Sequence, residues 1–534
     1  MLKANINWIK KNAKSDLKIW KDLISEVDWK DFAGKMKHKA QLDRERIADE
    51  VKSFAALPPK EKWDRVINGE RQLGRLYQKG AIAFTRREWK GVESTARDFY
   101  GWLIIWRDML KMVMRDPMSI LLGLFEYRWF SSYLACPAFL DRNNLGFRGR
   151  AVTMNHMLLA DVYRYVEDCI ATLLMADKRI GGNEKVNSKL LLFDEMTMAQ
   201  MMAGFPGLKG VPYQLIPVFL VSELDQLICI PYIDAVESYG LPADTCPVPT
   251  SESGSAIVDA LPHCGLGFSS TSTPCDGSDM ATSFQERRLK KLGIPTFPLT
   301  LPVRYDDEDT VECGAQDMWH CIKWVEELTG EKWDWEHYFT VIKRFNEQTK
   351  MEMEKWDGGL NPDVMKTFYK VRKLMYKSYE QRCNPYRHPM KYRAVVWSCP
   401  AHYYANFSNW LANAWGIGVL VEMESLNFTK QLETEDHDEA IRDLARLYER
   451  MVMRKHTNGG YVHVLDELWK VCEQFNANFI IMYQHVCCKT MAGLQGLFDE
   501  QARERGLHLI WVEHDLMDPR TVSRRDMRAK VTNY

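Results

Sequence analysis

From Leu190 onward, short apolar runs alternate with stretches of helix length, and this rhythm constrains the fold more than any other feature. "LLLF" at 190–193, "YQLIPVFLVSE" at 213–223, "CGLGFSSTST" at 264–273 and "IPTFPLTLP" at 294–302 read as strands. "DQLICIPYIDAVESYG" and "DMATSFQERRLKKLG" between them carry helical spacing. Nearly continuous apolar strands separated by helices argue for a parallel sheet covered on both faces. From 306 to 390 the chain turns charged and helical, as in "AQDMWHCIKWVEELTGEKWDWEHYFTVIKRFNEQTKMEMEKW". Strands resume with "RAVVWSCP" at 393–400, "GIGVLVEME" at 416–424, "ANFIIMYQHVCC" at 477–488 and "GLHLIWVEHD" at 506–515. The expected fold is α/β, with two Rossmann-like or flavodoxin-like parallel-sheet domains and a mainly helical N-terminal region. The expected divisions are 1–188 (helical), 189–305 (first α/β domain), 306–390 (helical connector) and 391–534 (second α/β domain).

The N-terminal region is rich in Trp, Met, Lys and Arg. "DVYRYVEDCIATLLMADKRIGG" at 161–182 repeats apolar positions every three or four residues and stops at glycines. "MSILLGLFEYRWFSSYLACPAFL" at 118–140 is the most apolar segment, but Glu126 and Arg128 lie inside it, so it reads as a buried helix rather than a membrane span. The tryptophans in these helical parts read as core or subunit interface. With 71 basic against 72 acidic residues, the formal net charge is −1, and no global field exists to hold nucleic acid or an anionic membrane. The opening "MLKANINWIKKNAKSDLKIW" has neither a signal peptide's apolar region nor its cleavage site, so a cytoplasmic location is expected.

Thirteen cysteines are scattered along the chain without any C-x-x-C, which disfavours a disulfide framework, a thioredoxin-type site and a zinc ribbon. Cys169, Cys229, Cys321 and Cys472 fall in helical patterns and read as core. Ligands of an open α/β sheet gather beyond the carboxyl ends of its strands, where helix N-termini favour negative charge. Three cysteines fit that position. Cys275 follows "GFSSTSTP", with Ser278 or Asp279 as the expected helix cap. Cys488 follows "FIIMYQHVC", with a helix expected from about Ala492, and Cys246 precedes a helix opened by Pro247 or Pro249. Cys399 is a reserve candidate, and Cys264 and Cys487 are neighbours of the set. Spacing alone leaves an iron–sulfur cluster, zinc and ordinary buried thiols all open.

Four separate stretches resemble the 2-hydroxyacyl-CoA dehydratase and class I benzoyl-CoA reductase superfamily, as a D-component-like subunit. They are "GLPADTC", "STPCD" with the following "LGIPTFPLTLPVRYDDEDTVE", "EELTGEKWDWE", and "YQHVCCKTMAGLQGLFDEQARERGLHLIWVEHDLMDPRTVSRRDMRAKV"; together they span about 190–534. The resemblance implies a 4Fe–4S cluster held by Cys246, Cys275 and Cys488, with Cys487 as the alternative to the last. It implies an acyl-CoA thioester substrate, a related second cluster-bearing subunit, and a separate ATP-dependent iron–sulfur activator; this chain has no G-x-x-x-x-G-K-[ST] loop of its own. The implied reaction is elimination of water from a hydroxyacyl-CoA through a ketyl radical formed by one-electron reduction. A benzoyl-CoA reductase-like aryl-CoA reductase subunit is the alternative within the superfamily. A non-catalytic electron-relay or scaffold subunit, or a double-cubane relative using Cys264, Cys399 and Cys487, are the others.

Beyond the last strand, Glu513, His514 and Asp515, with Asp518, are candidates for substrate binding or proton transfer. The competing reading is a capped loop with an Asp518–Arg520 turn. His485 is placed either to tune a cluster by hydrogen bonding or as a core histidine. Arg287 and Arg288 read as solvated helix charge, with contact to CoA phosphates as the functional alternative.

Overall fold

The computed structural model describes residues 110–130, 168–194, 199–214, 228–272, 275–302, 307–357, 391–398, 401–404, 407–422, 431–449, 461–474 and 476–534, with isolated positions between 37 and 59. The strands are β1 (Leu190–Phe193), β2 (Lys209–Pro212), β3 (Gly267–Thr271), β4 (Thr296–Leu299), β5 (Tyr392–Trp397), β6 (Ile417–Glu422), β7 (Phe479–His485) and β8 (His508–His514). The helices discussed below are α1 (Pro117–Glu126), α2 (Ile230–Tyr239), α3 (Pro247–Ile257), α4 (Asp276–Lys291), α5 (Glu308–Thr329), α6 (Trp335–Asp357), α7 (Phe407–Trp415), α8 (His437–Glu449), α9 (Tyr461–Gln474), α10 (Lys489–Gly493), α11 (Gln495–Glu504) and α12 (Arg524–Asn533).

The chain divides into two compact units, one of residues 1–187 with 260–264, the other of 188–259 with 265–534. In the first, α1 ends at Glu126, and the backbone N–H of Tyr127 closes it on the carbonyl of Gly123. The segment read as one buried helix over 118–140 therefore breaks here. It buries Ser119, Ile120 and Gly123 but leaves Phe125 76% exposed, and residues 131–140 lie outside the described residues. Asp177 organises the unit's described part. Its carboxylate accepts from the Tyr127 hydroxyl and from the backbone N–H groups of Arg179 and His263, while Trp129 donates to the carbonyl of Ala260. No helix among the described residues is long and apolar enough to cross a membrane.

The second unit holds two four-stranded, wholly parallel sheets, in the orders β2-β1-β3-β4 and β6-β5-β7-β8. Both are the flavodoxin-like order, in which the chain reverses direction across the sheet between its first and third strands. Leu190–Phe193 and Gly267–Thr271 are buried at every position, as a sheet covered on both faces demands. The edge strand β2 is "KGVP", ahead of the apolar run at 213–223; Tyr213 and Gln214 follow it, and 215–223 lie outside the described residues. Packing placed it there, because Gly210 leaves a Cβ-sized space already taken by Phe193 and Met202 side chains.

α5 packs on α8, and both cover the first sheet. Val311, Ala315 and Met318 of α5 share one core with Ala440, Ile441, Leu444 and Ala445 of α8 and with Leu191 and Leu299 of the strands. The second sheet has a core on each face, one with Leu468, Trp469 and Phe498, the other with Tyr404, Phe407 and Met527. Closer contact still joins α2 and α3, where a Cβ on Gly254 would stand 2.0 Å from the Tyr232 carbonyl oxygen. Gly254→Ala is therefore expected to lower the urea unfolding midpoint by an amount worth about 1–3 kcal/mol. Gly493→Ala, where nothing lies within 4 Å, is expected to be neutral or slightly stabilising.

Candidate metal centre

Reversal points of doubly wound sheets leave a crevice at the strand carboxyl ends, and the strands beside it here are β1, β3, β5 and β7. The loop after β3 carries Cys275 and the turn after β7 carries Cys488, so these cysteines hold equivalent places in the two sheets. Cys246 leads α3, the helix that precedes β3. The residue following β5, Ser398, is held at φ +68°. Cys399 lies outside the described residues.

Each of Cys246, Cys275 and Cys488 is the N-cap residue of a helix, and none of their side chains makes a capping hydrogen bond. This moves two boundaries. α4 starts at Asp276 rather than behind a Ser278 or Asp279 cap, because the Cys275 carbonyl already accepts from Ser278 and Asp279. α10 starts at Lys489, three residues before the expected Ala492, with the Cys488 carbonyl accepting from Ala492. α3 opens with Pro247, as expected. Its sequence "PVPTSESGSAI" is polar, yet Pro247 to Ala256 are all buried. Its hydroxyls make that tolerable by bonding back to the helix: Thr250 to the Cys246 carbonyl at 2.8 Å, Ser253 to Pro249 at 2.7 Å and Ser255 to Glu252 at 2.7 Å.

Two contacts draw the three loops together. A Cβ on Gly277 would meet Pro249 Cγ at 3.0 Å and Cys275 Sγ at 3.6 Å, so the first turns of α3 and α4 touch beside that sulfur. The other contact joins the sheets: Cys246 Sγ lies 3.1 Å from Nε2 of His485, the last residue of β7. The Cys488 backbone N–H bonds the His485 carbonyl at 2.9 Å. Cys487 lies in the turn between, half-buried like Cys488; Cys488 also packs on the core containing Met491 and Phe498. Arg520, clamped on Asp518, also reaches Asp234 of α2 at 2.7 Å, a second tie on this side of the unit.

The donor set fits a thiolate-held cluster. Three half-buried cysteines outside any disulfide stand at helix N-termini, where amide groups and dipoles favour sulfur in its anionic form. Among the described residues no three His, Cys, Asp or Glu side chains converge on a single ion. The cysteines of a cubane hold separate irons and stand farther apart than the ligands of one ion. Cys169, Cys229, Cys321 and Cys472 are buried to 3% exposure or less. Cys229 is the N-cap of α2 rather than an interior helix residue, and Cys264 is fully buried in the other unit. Burial pushes the Cys321 and Cys472 thiols up to about 12, away from thiolate chemistry.

The 515–520 loop is a capped turn in which Asp515 is buried. Asp515 Oδ1 accepts from the Met517 and Asp518 backbones, and Arg520 forks onto Asp518. Glu513 is half-exposed and pairs with Lys530 at 3.2 Å. His514 is fully buried, its ring 5.9 Å from that of His485. Burial holds the His485 imidazole down at about 3, with His514 adding to the effect, so the ring is neutral at ordinary pH. Buried His402 and Tyr403 were not foreseen; they adjoin Cys399 in sequence, and His402 N–H bonds the Leu516 carbonyl. Arg288 is 8% exposed and bonds Asp259 and the Tyr213 hydroxyl, so it is neither solvated charge nor available to a phosphate; Arg287 is exposed.

The family model described as 2-hydroxyglutaryl-CoA dehydratase, D-component, matches residues 229–533. The chain belongs to this family. It is therefore a component of a 2-hydroxyacyl-CoA dehydratase-type enzyme, and the match takes in Cys246, Cys275 and Cys488. No curated protein matches the chain.

Within this D-component chain Asp515 offers a test of site electrostatics. Burial raises its carboxyl from 3.8 to about 6, and nearby Asp518 adds to the rise against the two amide bonds. The folded chain thus holds this proton where the unfolded chain has released it, and stability falls as pH rises from 3.8 through about 6. Asp515→Asn removes that loss. Relative to wild type, its unfolding free energy should rise by up to about 3 kcal/mol between pH ~3.5 and ~7. Urea unfolding at both pH values checks this, and a pH-independent difference would contradict it.

Proposed function

We propose that this chain is the cluster-bearing subunit of a 2-hydroxyacyl-CoA dehydratase. On this reading Cys246, Cys275 and Cys488 hold a 4Fe–4S cluster, with Cys487 as the alternative to the last. The chain works with a related second subunit and a separate ATP-dependent iron–sulfur activator. Its substrate is a hydroxyacyl-CoA thioester, which loses its hydroxyl and a neighbouring carbon-bound proton to give an enoyl-CoA and water. The observation that carries the reading is the placement of three cysteines at helix N-caps around strand carboxyl ends within one compact unit. The family match favours the dehydratase over the aryl-CoA reductase.

When bound, such a cluster supplies one electron at low potential and an iron left open by having only three protein ligands. The chain's own residues do the rest. The first sheet's segment brings Cys246 and Cys275, the second sheet's brings Cys488, and α5 and α6 lie between them in the chain. The N-terminal amides of α3 and α4 favour the deprotonated sulfurs of Cys246 and Cys275. Asp515, whose carboxyl titrates near 6, takes or gives a proton on this side of β8, with His514 beside it in the chain. Glu513, paired with Lys530, stays outside that exchange.

Iron and acid-labile sulfide, measured on anaerobically prepared protein, test the ligands. Wild type should carry about four of each per chain. Cys246→Ala, Cys275→Ala and Cys488→Ala should each lose most of both, and Cys487→Ala should keep them. With the partner subunit, activator, ATP and a 2-hydroxyacyl-CoA, wild type should form the enoyl-CoA and the three depleted variants should not. A reconstituted wild type without iron, or full iron retention by all three variants, would overturn the assignment.

A further inference from the structure

His485 sits three residues before Cys488, yet its side chain meets a different cysteine. Nε2 stands 3.1 Å from Cys246 Sγ, a residue 239 positions away in sequence. The ring is fixed there: His485 is 7% exposed, in register with His514 on β8, and backed by that residue's ring. A separation of 3.1 Å is a hydrogen-bond distance, shorter than expected between ligands of two different irons.

We propose that His485 is a positioning residue that donates its Nε2 proton to the Cys246 sulfur, fixing that ligand and setting the potential of the cluster it holds. The inference rests on the cluster reading above. A thiolate ligand has no proton to give, so a hydrogen bond across this contact requires the proton on Nε2. Donation to sulfur draws electron density from the cluster and favours its reduced, more negative form, which raises the potential. Because His485 ends β7, the same residue couples the sulfur on α3 to the turn that carries Cys488. A change in either sheet's position would therefore alter the electronics of the site as well as its shape.

Iron content and EPR-monitored redox titration with titanium(III) citrate, on wild type, His485→Gln and His485→Leu, test the inference. All three should load similar iron. At a fixed potential the Leu variant should show about a tenfold lower ratio of reduced to oxidised cluster than wild type, which for one electron is ~59 mV. Gln, whose side-chain N–H replaces the donor, should return most of the way. Should the Leu variant not fold, pulsed ENDOR decides on wild type labelled with 15N-histidine. A ring-nitrogen coupling of hydrogen-bond size, absent in the Gln variant, supports the donor role, and no coupling overturns it. Equal potentials in all three chains would overturn this inference and leave the cluster standing. Loss of iron from both variants would make the imidazole a ligand and overturn the donor role. Absence of iron from wild type would instead sink the cluster reading on which the proposal rests.

Discussion

The packing of α8 against α5 is the interaction on which the candidate site depends. α8 is separated by one strand, β6, and one helix, α7, from the first strand of the second sheet, yet its apolar face completes the core over the first sheet. Gly314 makes the approach possible, since a Cβ there would already stand 3.1 Å from Leu301 and 3.4 Å from Ala445. Arg442–Glu312 at 2.7 Å and Arg446–Glu308 at 2.9 Å line the seam. Such exposed ion pairs contribute little, so the buried apolar face carries the seam and the charges fix its register. With two sheets held in one unit, a cysteine leading a helix of one and a histidine ending a strand of the other come within hydrogen-bond distance.

Parallel topology explains why cysteines suit this place. All strands of a parallel sheet end on one side, and the helices that follow begin there, so amide N–H groups and positive dipole ends collect where the chain reverses. The same strand order in both sheets puts Cys275 and Cys488 in corresponding loops, and α3 adds a third start between them. Backbone geometry of this kind favours a negatively charged group. The first sheet's carboxyl edge is also tied internally, because buried Asp194 at the end of β1 accepts from the Thr271 backbone and hydroxyl at the end of β3.

Much of this was legible in the chain. Seven strands are legible in the chain, most plainly β1 and β7, whose apolar runs are buried on both faces of a parallel sheet so that position along the run hardly matters. β2 is not, since an edge strand of four residues with a glycine has no such signature. α3 misleads in the other direction: "PTSESGSA" reads as surface, and only its i−4 hydroxyl bonds reveal how it can be buried. The cysteine loops are placed by the strand ends, but the expected starts of α4 and α10 fall three or four residues late because cysteine is an uncommon cap. Contacts such as Cys246 with His485 and Asp234 with Arg520 join residues more than two hundred positions apart and leave no local trace.

The central claim is that three helix-capping cysteines share one cluster. Anomalous diffraction at the iron edge from anaerobically grown crystals of the protein tests it most directly. The account predicts one compact multi-iron peak bonded to the sulfurs of Cys246, Cys275 and Cys488, with His485 Nε2 close to the Cys246 sulfur but bonded to no iron. Iron bound elsewhere, or bonded to fewer than two of these sulfurs, would contradict it.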